Sequence, residues 1–215
     1  MVEGATLIRE AIAAGWQVEA EYVAPGNAAV SSGEVFELAR GVLERAASTE
    51  HPQPNIAVVR IPERSETLEG ANFVLVADAL NDPGNLGTML RSAEAAGVDA
   101  VVLTPGSVDP FNPKVVRASV GALFHLALLS ASLEEVREAG LRLVGTSSHR
   151  GDRHTHANWS GRVAVVLGSE AHGLADDAKI DDWVRIEHHG RSESLNVAMA
   201  ATLLLFAAAE QRRQD

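Results

Sequence analysis

The chain has 215 residues, of which 46% are apolar, and it carries 18 Lys and Arg against 29 Asp and Glu, a formal net charge of −11. This charge excludes a broadly basic surface that would hold nucleic acid by counterion release alone. The lack of cysteine excludes disulfides and thiolate zinc sites, and no apolar run has the length or flanks of a membrane span or signal peptide, so we expect a cytoplasmic protein with no membrane partner.

Residues 1–70 predict a small, acidic α/β unit. They hold 5 Lys and Arg against 11 Asp and Glu. Apolar spacing at Leu7, Ile8 and Ile12 predicts a first helix. The other predicted elements are the strand VEAEYVA, a helix around Val35 to Ala46 and the strand IAVVRI. Polar and glycine residues in the stretch 65–72 then predict a linker, and we place a domain boundary between residues 68 and 69.

From Phe73 onward, short β-branched runs alternate with segments of helical spacing. The predicted strands are FVLVA, AVVLT, Leu126 to Leu129, LRLVGTS, RVAVVLG and WVRI, and the predicted helices are Leu86 to Ala96, Lys114 to Ala122, Leu133 to Ala139 and Leu195 to Ala209. Strands without alternation of apolar and polar residues are usually covered on both faces. The pattern therefore predicts an α/β fold with a mainly parallel sheet.

Three loops that follow predicted strands carry glycine beside polar side chains. They are NDPGNLGTMLR after FVLVADAL, SEAHGL after RVAVVLG, and EHHGRSESLN after WVRI. In open α/β sheets, ligands bind beyond the carboxyl ends of the strands, so we expect these loops to build one ligand site. The Gly-Lys-Ser/Thr of a Walker loop and the G-x-G-x-x-G of a dinucleotide site are both missing, which disfavours a P-loop nucleotidase and a Rossmann dehydrogenase.

Histidines are numerous in the last third of the chain, but they do not predict a metal centre. They include His149, His154, His156, His188 and His189. They fall in loops without the i, i+4 spacing or the paired carboxylates that would fix a cation. The segment from His149 to Arg162 is also rich in arginine, which indicates either a local basic site or a solvated loop.

Taken together, the three loops resemble the SpoU (TrmH-type) ribose 2′-O-methyltransferases of the SPOUT superfamily. The resemblance is carried, in the family's order, by N-x-G-x-x-x-R at Asn85, Gly87 and Arg91, by LGSEAHGL with Gly168, Glu170 and Gly173, and by SLNVAMA with Ser194, Leu195, Asn196 and Ala198. The stretch LTPGSVDPFNPKVVRASVGALFHL is similar to the family's middle section. Residues 1–68 resemble a shortened L30e-like RNA-binding domain, with VEGATLIREAI as its first helix.

The resemblance implies a fold and an activity. S-adenosyl-L-methionine would be the methyl donor, and a ribose 2′-hydroxyl in RNA the acceptor, with 23S ribosomal RNA preferred over tRNA. Residues 69–215 would form a catalytic domain whose parallel sheet ends in a trefoil knot over roughly Thr146 to Asn196, preceded by the L30e-like domain in 1–68. The resemblance also implies a homodimer with active sites near the subunit interface.

The family's catalytic residues correspond to Arg91, Asn85, Glu170, Ser194 and Asn196. Because a guanidinium is a poor proton acceptor, Arg91 would hold the phosphate beside the target ribose and orient the 2′-oxygen. Three of these residues are also candidate helix caps, a role that Asn85 and Ser194 would fill together with the catalytic one and that is an alternative for Glu170. Asn85 would cap the helix that follows it, Glu170 the next short helix, and Ser194 the terminal helix.

The resemblance also assigns binding residues. The donor would contact Thr146, Ser147, Leu167, Gly168, Ile186 and Leu195, with core packing as the alternative for Ile186 and Leu195. RNA would contact Asn85, Arg91, Lys114 and Arg117. Two other functions stay open: a non-catalytic RNA-binding or ribosome-assembly factor that retains the fold, and a methyltransferase of the same superfamily that acts on a base.

Overall fold

A computed structural model describes residues 1–47, 52–63, 67–191 and 194–214, which form two sheets with helices packed on them. The strands are β1 (Val2–Glu3), β2 (Val18–Val23), β3 (Glu34–Glu37), β4 (Asn55–Val59), β5 (Phe73–Ala77), β6 (Ala100–Leu103), β7 (Ala127–Ser130), β8 (Arg142–Thr146), β9 (Asp152–Arg153), β10 (Val163–Leu167) and β11 (Asp182–Arg185). The helices are α1 (Ala5–Ala13), α2 (Arg40–Ala46), α3 (Pro83–Ala96), α4 (Pro113–Ser119), α5 (Leu133–Glu138) and α6 (Val197–Arg212), with a turn of 3-10 helix at Ala122–His125. Within these described ranges, no helix is long and apolar enough to cross a membrane.

The smaller sheet has the order β1-β4-β2-β3. β4 pairs antiparallel with β1 and β2, whereas β3 pairs parallel with β2. Glu21 is buried in this unit, and its carboxylate accepts hydrogen bonds from the Ser31 N–H and the Asn55 amide, each at 2.7 Å. Burial raises the pKa of Glu21, but these donors lower it by more, so the ionised carboxylate holds the β2–β3 connection in place.

The helix predicted around Val35 to Ala46 is wrong in its first part. Residues Glu34–Glu37 form β3, and α2 begins only at Arg40. The Phe36 ring stacks on the ring of Tyr22 in β2, with centroids 5.5 Å apart. Aromatic and β-branched residues favour a strand when a neighbouring strand can pair with them. The local spacing of apolar residues does not show that neighbour, so the pattern predicts a helix.

The larger sheet has the order β7-β6-β5-β10-β8-β11-β9, and all of its neighbouring strands are parallel. Along β5, Phe73 and Leu75 belong to the core that includes α3, α4 and α6, whereas Val74 and Val76 belong to the core that includes α5. Both faces are therefore covered, which explains why these strands lack polar alternation. The predicted α/β fold with a mainly parallel sheet is confirmed.

The smaller unit shares an apolar core with the larger one. Ile8 and Ala11 of α1 lie in the same cluster as the residues of β5 and α3. The indole N–H of Trp16 donates to the Phe124 carbonyl at 3.1 Å, and the two rings meet edge-on with centroids 5.1 Å apart. Burial of both aromatic rings with the indole donor satisfied makes this a stabilising junction. Of the predicted linker, residues 65 and 66 lie outside the described residues.

Arg162 belongs to the basic segment noted in the sequence, but its role is structural. Its guanidinium donates to the carbonyl oxygens of Leu68, Ala71 and Ala139 at 2.9, 2.9 and 2.7 Å. These carbonyls lie before β5 and at the end of α5. One half-buried side chain therefore ties the entry of β5 to the helix on the same face of the sheet.

We expect Arg162→Ala to lower the free energy of unfolding by about 2–4 kcal/mol, because three carbonyls lose a charged donor. Urea unfolding measures this loss. Arg153→Ala is the matched control, since it removes only an ion pair with Glu187 at the surface and should cost less than about 1 kcal/mol. Equal losses for the two variants would contradict the assignment.

Candidate active site

A cavity of about 790 Å³ lies beyond the carboxyl ends of β5, β8, β10 and β11, where the three glycine-containing loops meet. This volume is typical of sites for small-molecule ligands. The predicted donor contacts all line it: Thr146, Ser147, Leu167, Gly168, Ile186 and Leu195. So do four of the predicted catalytic residues, Asn85, Glu170, Ser194 and Asn196.

A chain of hydrogen bonds joins the three loops. The Asn85 amide nitrogen Nδ2 donates to Oε1 of Glu170 at 3.0 Å, and Oδ1 of Asn85 accepts from Nδ2 of Asn196 at 2.9 Å. Oδ1 of Asn196 accepts in turn from the backbone N–H groups of Ala198 and Met199, at 3.0 and 3.3 Å. Because an ionised carboxylate can only accept, this network fixes which way both amides face. We refer to Glu170, Asn85 and Asn196 as the polar relay.

The relay requires the ionised form of Glu170. Burial raises the pKa of this carboxyl, but hydrogen bonds from the Asn85 amide and from backbone N–H groups, including that of Asp82 at 3.2 Å, lower it below the ordinary value of 4.5. A lowered pKa contributes stability that is present above 4.5 and is lost as the pH falls through the lowered value. The relay is therefore intact at neutral pH and opens only in acid.

The residues that cap α3 and α6 are not the ones that the sequence predicted. The N-cap of α3 is Asp82, whose carboxylate accepts from the backbone N–H of Asn85 at 2.7 Å. Asn196, and not Ser194, caps α6, while Glu170 lies in a turn. The capping roles predicted for Asn85, Glu170 and Ser194 are therefore wrong, and Ser194 is left exposed at the cavity.

Close backbone packing at Gly168 forms one wall of the cavity. A Cβ on Gly168 would lie 2.2 Å from the carbonyl carbon of Gly173 and 2.3 Å from the nitrogen of Leu174. A Cβ on Gly151 would likewise lie 2.1 Å from the carbonyl oxygen of Trp183. Only glycine allows the loops to approach one another this closely.

We expect Gly168→Ala to destabilise the fold by about 1–3 kcal/mol or more, because the added methyl group has backbone rather than flexible side chain in its way. Thermal unfolding followed by circular dichroism should show a drop of about 2–4 °C for each kcal/mol. Gly190→Ala is the control, since nothing lies within 4 Å of its Cβ position. A Gly168→Ala variant as stable as the wild type would contradict this packing.

Arg91 does not reach the cavity of its own chain. It lies on α3 after Asn85, about 9 Å further along the helix axis and about 120° around it. Its side chain is exposed and lines a second groove of about 600 Å³, together with Thr88 and Phe206. Lys114 and Arg117 lie on α4 and do not line the cavity.

The cavity wall also contains residues that the sequence analysis did not single out for this site. The guanidinium carbon of Arg150 lies 3.4 Å from the ring centroid of Trp183, and both residues line the cavity. They meet because β8 and β11 are neighbours in the sheet. The sequence shows an arginine within a basic segment and a tryptophan at the start of a predicted strand, but not that the two side chains pair.

Comparisons with known proteins agree with this geometry. The model of the SpoU rRNA Methylase family matches residues 72–206. The chain is 36% identical to the 23S rRNA (guanosine(2553)-2′-O)-methyltransferase RlmP of Bacillus subtilis, over 96% of this chain and 86% of that protein. It is similar to the crystal structure of the SpoU methyltransferase AviRb from Streptomyces viridochromogenes in complex with AdoMet, with a TM-score of 0.85 and 29% identity over 98% of this chain and 89% of that one. It is also similar to a crystal structure of an RNA 2′-O ribose methyltransferase, with a TM-score of 0.85 and 36% identity over 98% and 87% of the two chains.

The relatives that match this chain are RNA methyltransferases, and the match covers the parallel sheet and the cavity at its carboxyl edge. The fold, the cavity and these relatives together define an RNA methyltransferase. The matched residues include all three loops and the whole polar relay. The chain belongs to the SpoU rRNA methylase family, and the resemblance seen in its three loops is confirmed.

Proposed function

We propose that this chain transfers the methyl group of S-adenosyl-L-methionine to a ribose 2′-hydroxyl of 23S ribosomal RNA. The observation that carries the proposal is the meeting of the polar relay and the predicted donor contacts around one cavity. The name of RlmP supports 23S rRNA as the substrate, and the guanosine that corresponds to its target is the first nucleotide to examine. The AdoMet complex of AviRb supports the choice of donor.

The cavity has the chemistry that this donor requires. Leu167, Ile186 and Leu195 provide apolar wall for an adenine ring. Ser147 provides a hydroxyl at the edge, and the ionised carboxylate of Glu170 provides a partner for a positively charged group. The residues present therefore fit a ligand that combines a purine, a ribose and a zwitterionic tail.

The reaction forms a bond between the ribose 2′-oxygen and the methyl carbon, breaks the bond from methyl to sulfur, and releases the hydroxyl proton. A sulfonium donor is already activated, so the protein contributes mainly alignment. Ser194, exposed at the cavity beside Asn196, would hold the 2′-hydroxyl. Arg91 would bind the phosphate next to the ribose, and the proton would leave through that phosphate or water.

A homodimer is part of the same proposal, because Arg91 lies outside its own cavity. On α6 the side chains of Met199, Leu203 and Phe206 are 63%, 46% and 44% exposed. Their spacing places them on one face of the helix. Phe206 also lines the groove that contains Arg91. Packing of two copies through this face would bury the apolar side chains and bring Arg91 to the partner's cavity.

Three further expectations also belong to this proposal. Residues 1–68 would be the shortened L30e-like unit that binds the RNA substrate, with 69–215 as the catalytic domain; the separate four-stranded sheet supports this division. The trefoil knot over roughly Thr146 to Asn196 is supported by the close backbone approach of Gly151 to Trp183, which belong to separate segments of that range. A substrate in the ribosome supports a cytoplasmic location.

The test is to incubate the purified chain with methyl-labelled S-adenosyl-L-methionine and an unmodified transcript of 23S rRNA, and then to digest the RNA to nucleosides. Label in a 2′-O-methylated nucleoside is expected, and label in a base would establish the base methyltransferase instead. Calorimetric titration with the donor runs in parallel. A chain that binds RNA but neither binds the donor nor transfers label would be an assembly factor.

A further inference from the structure

The arginines between His149 and Arg162 have different surroundings. Arg153 pairs with Glu187 at 2.6 Å, and Arg162 donates to backbone carbonyls. Within the described ranges, the guanidinium of Arg150 has no hydrogen-bond acceptor and lies against the Trp183 ring. Of these three arginines, Arg150 is therefore the one whose guanidinium makes no hydrogen bond to the described residues, so all of its N–H groups can bind a ligand.

The position of Arg150 is fixed by several contacts. Its guanidinium carbon lies 3.4 Å from the ring centroid of Trp183, a distance that holds the planar group against the indole face. Oγ of Ser147 accepts from the backbone N–H groups of His149 and Arg150, each at 3.2 Å. Arg185 donates to the carbonyl of Gly151, directly after Arg150. A guanidinium that stacks through its face keeps the N–H donors along its edge free for a planar or tetrahedral oxyanion.

Arg150 lines the cavity on its exposed side. Its side chain is exposed, whereas Leu167 and Gly168, which are predicted donor contacts, are buried. The whole chain carries a net charge of −11, so an RNA strand needs local cations to approach the site. A fixed, exposed arginine at the cavity is therefore better placed to bind a phosphate of a polymer than to bind one end of a small ligand that the cavity encloses.

We propose that Arg150, stacked on Trp183, binds a backbone phosphate of the acceptor RNA strand at the donor cavity. This inference rests on the proposed function and adds an RNA contact from the same chain as the cavity, separate from Arg91. It assigns a role to the basic segment that the sequence left open. Trp183 acts as the positioning residue, since it holds the guanidinium in its plane.

The test compares Arg150→Ala with Arg153→Ala, which removes the same charge three residues away from an arginine already paired with Glu187. KM and kcat are measured with the 23S rRNA transcript over a series of KCl concentrations. RNA binding is measured by electrophoretic mobility shift, and donor binding by calorimetry. For Arg150→Ala we expect KM for RNA to rise about tenfold and the salt dependence of RNA binding to fall by about one phosphate contact, with kcat and donor affinity unchanged. Arg150→Lys, which keeps the charge but not the planar stack, should fall between wild type and Arg150→Ala.

Two results would overturn the inference. One is that Arg150→Ala and Arg153→Ala bind RNA equally well. The other is that Arg150→Ala weakens donor binding and leaves RNA binding unchanged, which would assign the arginine to the donor's carboxylate. Since mobility shifts need no turnover, a wild-type chain without methyl transfer would count against the proposed function, while the RNA affinities would still decide the role of Arg150.

Discussion

Replacing Arg91 by alanine is expected to lower the rate of methyl transfer by at least about a hundredfold and to leave the affinity for S-adenosyl-L-methionine within about threefold of wild type. The rate falls because the phosphate beside the ribose loses a charged donor. Donor affinity is retained because Arg91 is assigned to the RNA phosphate, whereas other residues, which line the cavity, are the predicted donor contacts. Single-turnover transfer to the 23S rRNA transcript and calorimetric titration measure the two quantities.

Arg213→Ala is the charge-matched control for this variant. Arg213 is exposed beyond the end of α6, and its loss should leave both quantities unchanged. Full activity in Arg91→Ala would remove Arg91 from the catalytic machinery.

Asn85→Ala is expected to lower kcat by about a hundredfold, because it breaks the polar relay at its centre. Asn85 is the residue that donates to Glu170 and accepts from Asn196. Without it, Glu170 loses the donor on Asn85 and Asn196 loses the acceptor of its amide N–H, so the link between the three loops is broken. The measurement is steady-state transfer with saturating donor and RNA.

The matched control and a second variant separate the relay from a general loss of structure. Asn81→Ala removes an amide in the same loop that donates only to the carbonyl of Ala79, and it should retain activity. Asn85→Asp keeps the shape of the side chain but replaces its amide donor with a carboxylate oxygen. Two hydrogen-bond acceptors then face each other, this oxygen and the carboxylate of Glu170. Its activity should be low at neutral pH and recover partly on acidification, since a shared proton restores a donor. A wild-type rate in Asn85→Asp at neutral pH would exclude the relay from catalysis.

Mixing the two inactive variants tests whether Arg91 acts across a dimer. A heterodimer of Arg91→Ala and Asn85→Ala contains one cavity with intact Asn85, which an intact Arg91 from the partner would complete. Random reassociation should then restore about a quarter of wild-type activity, because half of the dimers have one working site. If each Arg91 serves its own chain, the mixture stays inactive.

Much of the fold could be predicted from the sequence because burial on both faces leaves a direct pattern. The runs FVLVA and RVAVVLG have no polar alternation, and they became β5 and β10 at the centre of the parallel sheet. The predicted donor contacts came from the resemblance to a family and stay a prediction, but their meeting around one cavity follows from the sheet. In a parallel sheet, loops at the carboxyl ends of neighbouring strands meet, so three separated motifs converge on one cavity.

Other features depend on partners that are distant in the chain. Local spacing around Val35 favoured a helix, but β2 supplied a strand for this segment to pair with. Capping by Asp82 and Asn196 was missed because several polar residues near each helix start compete for the role, and only backbone angles decide between them. The same limit applies to Arg91, whose distance from the cavity depends on the helical rotation between it and Asn85.

The strand order also bears on how the chain reaches its native state. β10 lies between β5 and β8, although both precede it in sequence, and Phe73 pairs with Val163 about 90 residues away. Until β10 inserts, the facing edges of β5 and β8 have unpaired backbone groups that a second molecule could bind. Closing so long a loop is slow, so refolding should show a late phase that loses yield to aggregation as protein concentration rises.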